Sequence, residues 1–415
     1  MKMNLEIRPI LSALMRSKTG AILVALQVAI SLAILANAVY IVNLRLAVVA
    51  RPSGVVAEND MFSLGISNRK LGDHAAQIAQ QKQDEATMRA VAGVSGVVRV
   101  SQVPISRSGS TSSIYLDLKQ TTPSASVSMY LTADSLNRIW GLKLIEGRDF
   151  NAGDYREIDE STSRDFVDTV IITKKLAEKL FPADTSAIGK VIYFGSGSDA
   201  QLTRVIGVIE GLQTHGAQNG PEGEMSVILP IRLSNDPYSV FSIRAEPGQR
   251  DRVMKDVETA LRTASASPLI IRTRTMEEDR SKRYRADVGL AWMLIAVCVL
   301  LLLVTASGIV GISSLWVTQR RKHIGVRRAL GARRTDILRY FITENIMITT
   351  VGIFCGVASA IALNQLLVSK LELSKLPVPY LITGSIIFWI LGIIAVVGPA
   401  ARAAAISPAT ATRGI

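Results

Sequence analysis

The residues best suited to binding chemistry form one short basic stretch, RRKHIGVRRALGARR at 320–334. Eight of its fifteen positions are Lys, Arg or His, and it directly follows a charge-free run at 288–319. Such a cluster can bind nucleic acid, hold lipid headgroups beside a membrane, or dock on a protein partner. Its function depends on which elements place it and on which side of a membrane it lies.

Residues that could perform catalysis do not assemble into a recognisable site. A nucleotide-binding loop reads G-x-x-x-x-G-K-[ST] at a helix start, whereas the only Gly-Lys pair, Gly189-Lys190, is followed by Val191. The glycine-rich run 195–199, GSGSD, lacks both a third glycine and a following helix, and it is typical of a turn. We therefore expect no ATPase in this chain, and no enzyme.

Metal and acid–base sites are also disfavoured. More than a hundred residues separate successive histidines, which are His74, His215 and His323. The acidic runs at 157–160 and 277–279 are typical of solvated surface, because no nucleophile with an oriented base accompanies them. We expect neither a metal nor a cofactor in the chain itself.

Four windows contain no Asp, Glu, Lys or Arg, and each is long enough to cross a bilayer as a helix, which takes about 20 residues. They are 19–44, 288–319, 345–369 and 376–401. Four crossings place both termini on one side. Both cysteines, Cys298 and Cys355, fall inside these windows, so we expect no disulfide in the intervening domain.

The distribution of charge predicts the orientation. The two tails and the segment between the second and third crossings hold 14 Lys and Arg against three acidic residues, whereas 43–287 holds 31 against 30. Cations concentrate on the cytoplasmic side of membrane proteins. The basic stretch is therefore expected in the cytoplasm and the long segment outside, and the high net charge is poor evidence for nucleic acid binding.

The first crossing has two interpretations. Its small residues at 36–38, Ala-Asn-Ala, resemble a secretory cleavage site, but its apolar run exceeds a signal core and favours an uncleaved anchor. Residues 1–18 alternate apolar and basic side chains, which predicts an amphipathic helix at the cytoplasmic interface, with a frayed tail as the alternative.

Small residues recur every four positions in the first and third crossings and favour close helix packing, either within the chain or in a dimer. They are Ala21, Ala25, Ala29 and Ala33, and Gly352, Gly356 and Ala360. The few strongly polar groups in these crossings include Gln27 and Asn37. Without an ionisable group in a crossing, a proton or ion pathway is not expected.

The segment outside the membrane is predicted to be an α+β domain. Strands are indicated at 96–103, 126–132, 168–173, 190–194 and 202–210, with GSGSDAQ as a hairpin connection, and helices at 84–93, 172–181 and 249–264. Thr275 and Glu278 form a capping box that starts a helix at Met276.

That helix would form a stalk before the second crossing. Its basic residues, Arg280, Lys282, Arg283 and Arg285, are expected to face water or partners. Trp292 and Trp316 lie 24 positions apart, about 36 Å along a helix, and are expected to anchor the crossing at the two interfaces.

The predicted organisation has eight segments. They are a cytoplasmic amphipathic helix at 1–18, crossings at 19–44, 288–317, 345–369 and 377–400, an extracytoplasmic α+β domain at 45–287 with its stalk at 276–291, a cytoplasmic coupling segment at 318–344 and a cytoplasmic tail at 401–415.

The run RRKHIGVRRALGARRTDILRYFITENIMI resembles the cytoplasmic signature of MacB-type and FtsX-like ABC transporter permeases. The runs 168–194 and 204–211, LKLIEGRDF at 142–150 and the ending GPAARAAAISPATATR are similar to the same family. The resemblance covers parts of the outer domain and nearly all of the last 130 residues. It implies a porter-like βαβ module with an inserted lobe between the first two of four transmembrane helices.

The resemblance also implies a short coupling helix that contacts an ATPase. The matching positions are His323, Ile324, Val326, Arg327, Arg328, Ala329, Leu330 and Gly331. As a helix, this segment would place Val326, Ala329 and Leu330 on one face and end at Gly331, with Thr335 and Asp336 capping the next helix. His323 stands where the family usually has Glu, so a charge pair with the ATPase at that point is in doubt.

The expected partners are a separate cytoplasmic ABC ATPase dimer, which would bind ATP and Mg²⁺, a second permease chain, identical or related, and a periplasmic adaptor with an outer-membrane channel. The expected function is efflux of a small molecule, peptide or lipid from the bacterial inner membrane. FtsX-like activation of a cell-wall hydrolase, lipoprotein extraction and a non-transporting receptor are alternatives. The basic stretch could also serve only as a topology determinant and lipid anchor.

Overall fold

The computed structural model describes residues 18–67, 72–159, 165–182, 186–234, 238–266, 268–371 and 374–405. They form two compact units. The helical unit comprises the described residues of Met1–Val49 and Asp287–Ile415, and the α/β unit comprises those of Ala50–Ala286. The amphipathic helix predicted at 1–18 lies outside the described residues except for Lys18, as does most of the predicted tail at 401–415.

The described residues contain nine α-helices. They are α1 Lys18–Val49, α2 His74–Arg89, α3 Leu136–Trp140, α4 Lys174–Leu180, α5 Arg250–Ala264, α6 Met276–Gln319, α7 Arg321–Ala329, α8 Arg334–Leu371 and α9 Val378–Ala404. Four of them, α1, α6, α8 and α9, are long and apolar enough to cross a membrane. Helices α1, α6 and α8 contain the first three charge-free windows, and α9 contains the fourth except for its first two residues.

Helices α1 and α8 pack closely because small residues line both of them. A Cβ atom on Gly352 would lie 2.8 Å from the carbonyl oxygen of Ala25, and one on Gly356 would lie 3.1 Å from the Cα of Ala29. Only glycine permits this approach. Of the two uses left open for the small-residue stripes, an internal helix contact is therefore the one seen here.

The polar residues of α1 form hydrogen bonds with neighbouring helices. The Gln27 amide donates to the carbonyl of Val304 on α6 at 2.9 Å, and the Asn37 amide donates to the carbonyl of Ala360 on α8 at 3.1 Å. Since lipid offers polar groups no partners, such bonds join helices within the bilayer. These residues therefore support the bundle.

Helix α6 leaves most of its apolar side chains uncovered within the described chain. Trp292, Leu300 and Leu303 are each at least 60% exposed. Trp316, in contrast, is buried, and its indole lies 3.1 Å from the position of a Cβ atom on Gly20. The expectation that Trp316 anchors the helix at a lipid interface is therefore wrong, because this side chain packs inside the bundle.

The described residues also contain thirteen strands in three sheets. They are β1 Met61–Ser67, β2 Val94–Val100, β3 Thr111–Tyr115, β4 Ala125–Leu131, β5 Leu144–Gly147, β6 Arg156–Asp159, β7 Thr169–Thr173, β8 Val191–Phe194, β9 Gln201–Ile209, β10 Ser226–Leu229, β11 Ile231–Ser234, β12 Tyr238–Ala245 and β13 Ile270–Thr275.

The first sheet has the strand order β13-β1-β12-β2, and all its neighbouring strands are antiparallel. Helix α2 connects β1 to β2, and α5 connects β12 to β13. This is the split βαβ arrangement. Its core includes the buried side chains of Leu64, Phe241 and Val253.

The strands between β2 and β12 in sequence form an inserted lobe. Its main sheet has the order β5-β9-β7-β10-β4-β3-β8, and β8 also pairs with β9, so six strands close into a ring. Ile114, Ile172 and Val205 are fully buried in its core. Strands β6 and β11 form a separate parallel pair.

The βαβ module and the inserted lobe share buried contacts. Trp140 is 1% exposed and donates from its indole nitrogen to Ser242 Oγ at 2.8 Å. The Arg232 guanidinium reaches both carboxylate oxygens of Glu85, at 3.0 and 3.1 Å. Since both charges are buried, the pair fixes β11 against α2.

Five strands predicted from alternation match β2, β4, β7, β8 and β9, and GSGSDAQ connects the antiparallel β8 and β9 as predicted. The helix predicted at 84–93 overlaps the last part of α2, which begins ten residues earlier at His74 and ends at Arg89, four residues before the predicted end. Asp73 caps that start by accepting from the backbone of Ala76. The first turns of α2 combine Ala and Gln around a single large apolar side chain, Ile78, which is why the pattern did not reveal them.

The predicted capping box is present at the start of α6. Thr275 Oγ1 accepts from the backbone nitrogen of Glu278 at 3.1 Å, and the Glu278 carboxylate accepts from that of Thr275 at 3.3 Å. The expectation that the basic residues of the stalk face water is wrong for Arg280 and Arg283, which bind the α/β unit itself.

Candidate functional site

The candidate coupling helix, α7, is short and sharply bounded. It ends at Ala329, and Gly331 follows with a φ angle of +96°, a left-handed conformation that glycine adopts without strain. The Asp336 carboxylate then accepts from the backbone nitrogen of Arg333 at 2.9 Å and caps α8. The end at Gly331 was predicted from the sequence. Of the predicted capping pair, Thr335 and Asp336, the observed contact is that of Asp336, and Thr335 lies inside the first turn of α8.

The inner side of α7 packs into the helical unit. Ile324 is 5% exposed and shares a core cluster with Ile337 and Phe341 of α8 and Ala400 of α9. Gly325 is buried beside it. Ile324 was assigned to the ATPase contact, but the structure places its side chain in the core, where it holds the helix in position.

A buried ion pair supports the start of α7. Arg320, between α6 and α7, donates to both carboxylate oxygens of Glu344 on α8 at 2.9 Å each, and Glu344 is 1% exposed. The same guanidinium lies 5.8 Å from the ring centroid of Trp316. Sequence reasoning counted these two charges only as topology signals and missed the pair. The one available signal in the sequence was the position of Glu344, a carboxylate directly before the charge-free window at 345–369.

Two arginines of α7 also contact neighbouring helices. The Arg327 guanidinium lies 5.1 Å from the ring centroid of Tyr340 on α8, and Arg328 donates to the carbonyl of Ala404 at the end of α9 at 2.9 Å. Cations are favourable at helix carboxyl ends because the last carbonyls lack partners. Both arginines therefore help to orient α7.

The remaining side of α7 is open. Val326 is 52% exposed and Leu330 is 83% exposed. His323, Ala329 and Gly331 are also exposed. The structure thus divides the predicted set into an outward apolar face and an inward support, a division that the sequence could not supply.

Basic side chains surround this apolar face. Exposed cations include Arg321, Lys322, Arg333 and Arg334. An exposed apolar patch with a charged rim is typical of a protein interaction site. The arrangement offers a surface for binding, with no nucleophile or base in position for catalysis in the described segment.

The histidines do not come together with other metal ligands in the described part of the chain. His74 lies 2.6 Å from Ser234 Oγ, and His215 lies 2.8 Å from Ser128 Oγ, through Nδ1 in both cases. No group of three or more His, Cys, Asp or Glu residues converges among residues 18–405 where these are described.

Two family descriptions match the chain. Residues 21–260 match the MacB-like periplasmic core domain, and residues 295–412 match the FtsX-like permease C-terminal domain. The first match alone covers more than half of the chain. The chain therefore belongs to the MacB-type ABC transporter permeases, and it is a multi-pass membrane protein with a periplasmic domain.

Among similar proteins, the macrolide export ATP-binding/permease protein MacB of Chromobacterium violaceum is 28% identical over 276 residues, which cover 65% of this chain and 41% of that protein. MacB of Rhodopseudomonas palustris is 31% identical over 241 residues, covering 54% and 33%. The pyoverdine export ATP-binding/permease protein PvdT of Pseudomonas putida is 27% identical over 275 residues, covering 62% and 39%. The chain thus spans about two fifths of the length of such relatives.

Proposed function

We propose that this chain is the permease subunit of an ABC export system and transmits movement from a cytoplasmic ATPase to a periplasmic domain. The carrying observation is the division of α7 between an anchored inner side and an open apolar face at Val326 and Leu330. A helix that is packed against the bundle on one side can be pushed by a partner on its other side and still keep its contacts with the bundle.

The exposed face fits a protein partner better than it fits lipid headgroups alone. Headgroup binding needs only the cations, whereas Leu330, the most exposed large apolar residue, gains from an apolar groove. The surrounding cations suit an acidic rim on that partner. This combination supports ATPase docking over a topology determinant alone.

The proposed orientation places α7 and both termini in the cytoplasm and the α/β unit in the periplasm. It rests on the excess of Lys and Arg in the tails and around α7. In this arrangement the chain spans the bacterial inner membrane four times.

The proposed assembly contains a separate ATPase dimer, which binds ATP and Mg²⁺, and a second permease chain. The pairing follows the family resemblance, and the exposed apolar side chains of α6 form a surface that lipid or the second chain would cover. A periplasmic adaptor and an outer-membrane channel would complete the export route. Relatives named for macrolide and pyoverdine export support a small molecule or peptide as cargo, and a lipid is the further candidate.

Leu330→Asp tests the docking assignment. The change places a carboxylate in the proposed apolar groove, and an unpaired charge there costs more than the ~1.4 kcal/mol that corresponds to tenfold in affinity. We expect ATPase copurification to fall at least about tenfold, with unchanged membrane insertion. The measurement is quantitative pull-down from gently solubilised membranes.

Leu118→Asp is the matched control, because Leu118 is 47% exposed and lies in the α/β unit. It should leave ATPase recovery unchanged. Equal recovery with wild type and Leu330→Asp would remove α7 as the docking site. Recovery of a cell-wall hydrolase with the complex, in place of an adaptor, would favour the regulatory alternative.

A further inference from the structure

Three segments of the α/β unit that are distant in sequence meet at one place, which we call the junction. They are residues 50–58, which follow α1, residues 210–224, which connect β9 to β10, and residues 276–286 at the start of α6. The middle segment is a loop of the inserted lobe. The other two continue directly into two of the membrane-crossing helices.

Gln213 is the centre of the junction. It is 1% exposed, and its backbone nitrogen donates to the carbonyl of Ser53 at 2.8 Å. Its side-chain amide donates to the carbonyl of Arg51 at 3.0 Å and accepts from the Tyr284 hydroxyl at 3.1 Å. Its own carbonyl accepts from the Tyr130 hydroxyl. One residue therefore joins all three segments to the inserted lobe.

Arg51, two residues after the end of α1, holds the loop from one side. Its guanidinium donates to the carbonyls of Gln218, Asn219 and Gly220 at 3.2 to 3.3 Å. A Cβ atom on Gly223 would lie 2.6 Å from Arg51 Nη1, so a larger residue there would displace the arginine. The loop is shaped to receive this side chain.

Arg283 holds the same loop from the α6 side. Its Nε donates to the carbonyl of Gly216 and its Nη2 to that of Ala217, both at 2.8 Å. Ala217 is a non-glycine residue with a φ angle of +44°, a strained conformation that these bonds help to hold. Arg280 adds a bond to the carbonyl of Arg51 at 3.1 Å and a pair with Glu58 at 2.7 Å.

We propose that the junction is the element through which movement of α1 and α6 reaches the inserted lobe, with Arg51, Gln213 and Arg283 as its positioning residues. This inference rests on the proposed function. Charged donors on backbone carbonyls are strong and directional, and Gln213 and Ala217, which are buried in the loop, leave it little room to shift. A shift of the end of α1 or of the start of α6 must therefore displace the loop between β9 and β10, two strands of the ring.

The first experiment measures hydrogen exchange of residues 211–224 in the full chain in lipid nanodiscs, without any partner. Arg283→Ala and Arg51→Ala should speed exchange in this loop roughly tenfold or more, because each removes charge-assisted bonds. Arg285→Ala is the matched control, since Arg285 is an exposed arginine on the same helix. Unchanged exchange in both test variants would overturn the junction as a clamp.

The second experiment adds the ATPase and compares nucleotide-bound with nucleotide-free states. In wild type the loop should change its exchange with nucleotide, and Arg283→Ala should lose that change while ATPase binding and ATP hydrolysis persist. Arg283→Lys keeps the charge but lacks the two-nitrogen fork, so it should lose part of the response even if the alanine variant folds poorly.

The two proposals fail in different ways. A wild-type loop that is insensitive to nucleotide, in a complex that binds and hydrolyses ATP, would overturn the junction and leave the export function standing. Failure of the ATPase to associate with wild type would remove the proposed function, and the transmission role of the junction with it.

Discussion

Helix α7 and the junction differ in what they leave exposed: α7 has an open face, whereas the polar groups of Gln213 at the junction are all bonded within the chain. Helix α7 is anchored through Ile324, Arg320 and Arg328, and its other side is exposed at Leu330. At the junction every polar group of Gln213 has a partner within the chain. A surface that receives a partner must stay open, whereas a contact that passes on movement must be closed. The difference is the one expected between the docking face proposed for α7 and an internal connection of the chain.

The two regions also differ in the interactions that hold them. The support of α7 combines apolar packing with one buried ion pair, Arg320–Glu344. The junction instead relies mainly on arginine donors to backbone carbonyls, which set direction as well as distance, beside the partly exposed pair Arg280–Glu58. Loss of one partner should therefore lower the free energy of unfolding most at the ion pair and less at each junction bond.

The largest expected effect is that of Glu344→Ala. It leaves the Arg320 guanidinium in a largely buried position without its carboxylate, which typically costs about 3–5 kcal/mol, and partial exposure of Arg320 places the cost near the lower value. We expect a marked loss of thermal stability in detergent and weaker ATPase copurification. Differential scanning fluorimetry of the purified chain measures the first.

The double variant Arg320→Leu with Glu344→Leu sharpens this result. Removing both charges avoids the orphaned guanidinium, so most of the stability should return. If the double variant is as unstable as Glu344→Ala, the support of α7 does not depend on charge pairing, and the contrast with the junction is wrong.

The next effect is that of Gln213→Leu at the junction. The change removes two side-chain bonds. The carbonyl of Arg51 keeps its bond from Arg280, whereas the buried Tyr284 hydroxyl loses its partner, at a cost of about 1–3 kcal/mol. We expect the urea midpoint for unfolding of the α/β unit in the full chain to fall. The measurement is a urea titration monitored by intrinsic tyrosine and tryptophan fluorescence.

Gln83→Leu is the control for this substitution, because Gln83 is exposed on α2. It should change the midpoint little. A Gln213 variant as stable as the Gln83 variant would show that the junction is looser than its bonds suggest.

Sequence reasoning predicted α7 better than it predicted the junction. The end of α7 at Gly331, the cap by Asp336 and the capping box at Thr275 are local patterns, readable within four residues. The inward side chain of Ile324 was not predicted, because only the packing of α8 and α9 decides which side of a short helix is covered.

The junction could not be predicted, since its members are far apart in the chain. Arg51 and Arg283 are separated by more than two hundred residues, and each reads locally as an ordinary surface cation. The strands β1, β12 and β13 were missed for a related reason, because their pairing across the insertion has no local signature. What the pattern did predict was β4, β7, β8 and β9 of the inserted lobe and β2 of the first sheet.

The smallest expected effect is the pH dependence of the junction loop through His215. Burial lowers the pKa of His215 below its ordinary value of 6.5, so the folded state favours the neutral ring and the unfolded state takes up a proton more readily. The stability from this residue is therefore present above about pH 6.5 and is lost as the pH falls through the folded pKa. We expect the unfolding temperature to fall by about a few degrees between pH 7.5 and 5.5.

His215→Asn should flatten that profile, whereas His323→Asn, on the exposed face of α7, should not. Identical profiles for wild type and His215→Asn would show that burial in the junction does not disfavour protonation of His215. The contrast between the closed junction and the exposed face of α7 would then rest on Arg51 and Arg283 alone.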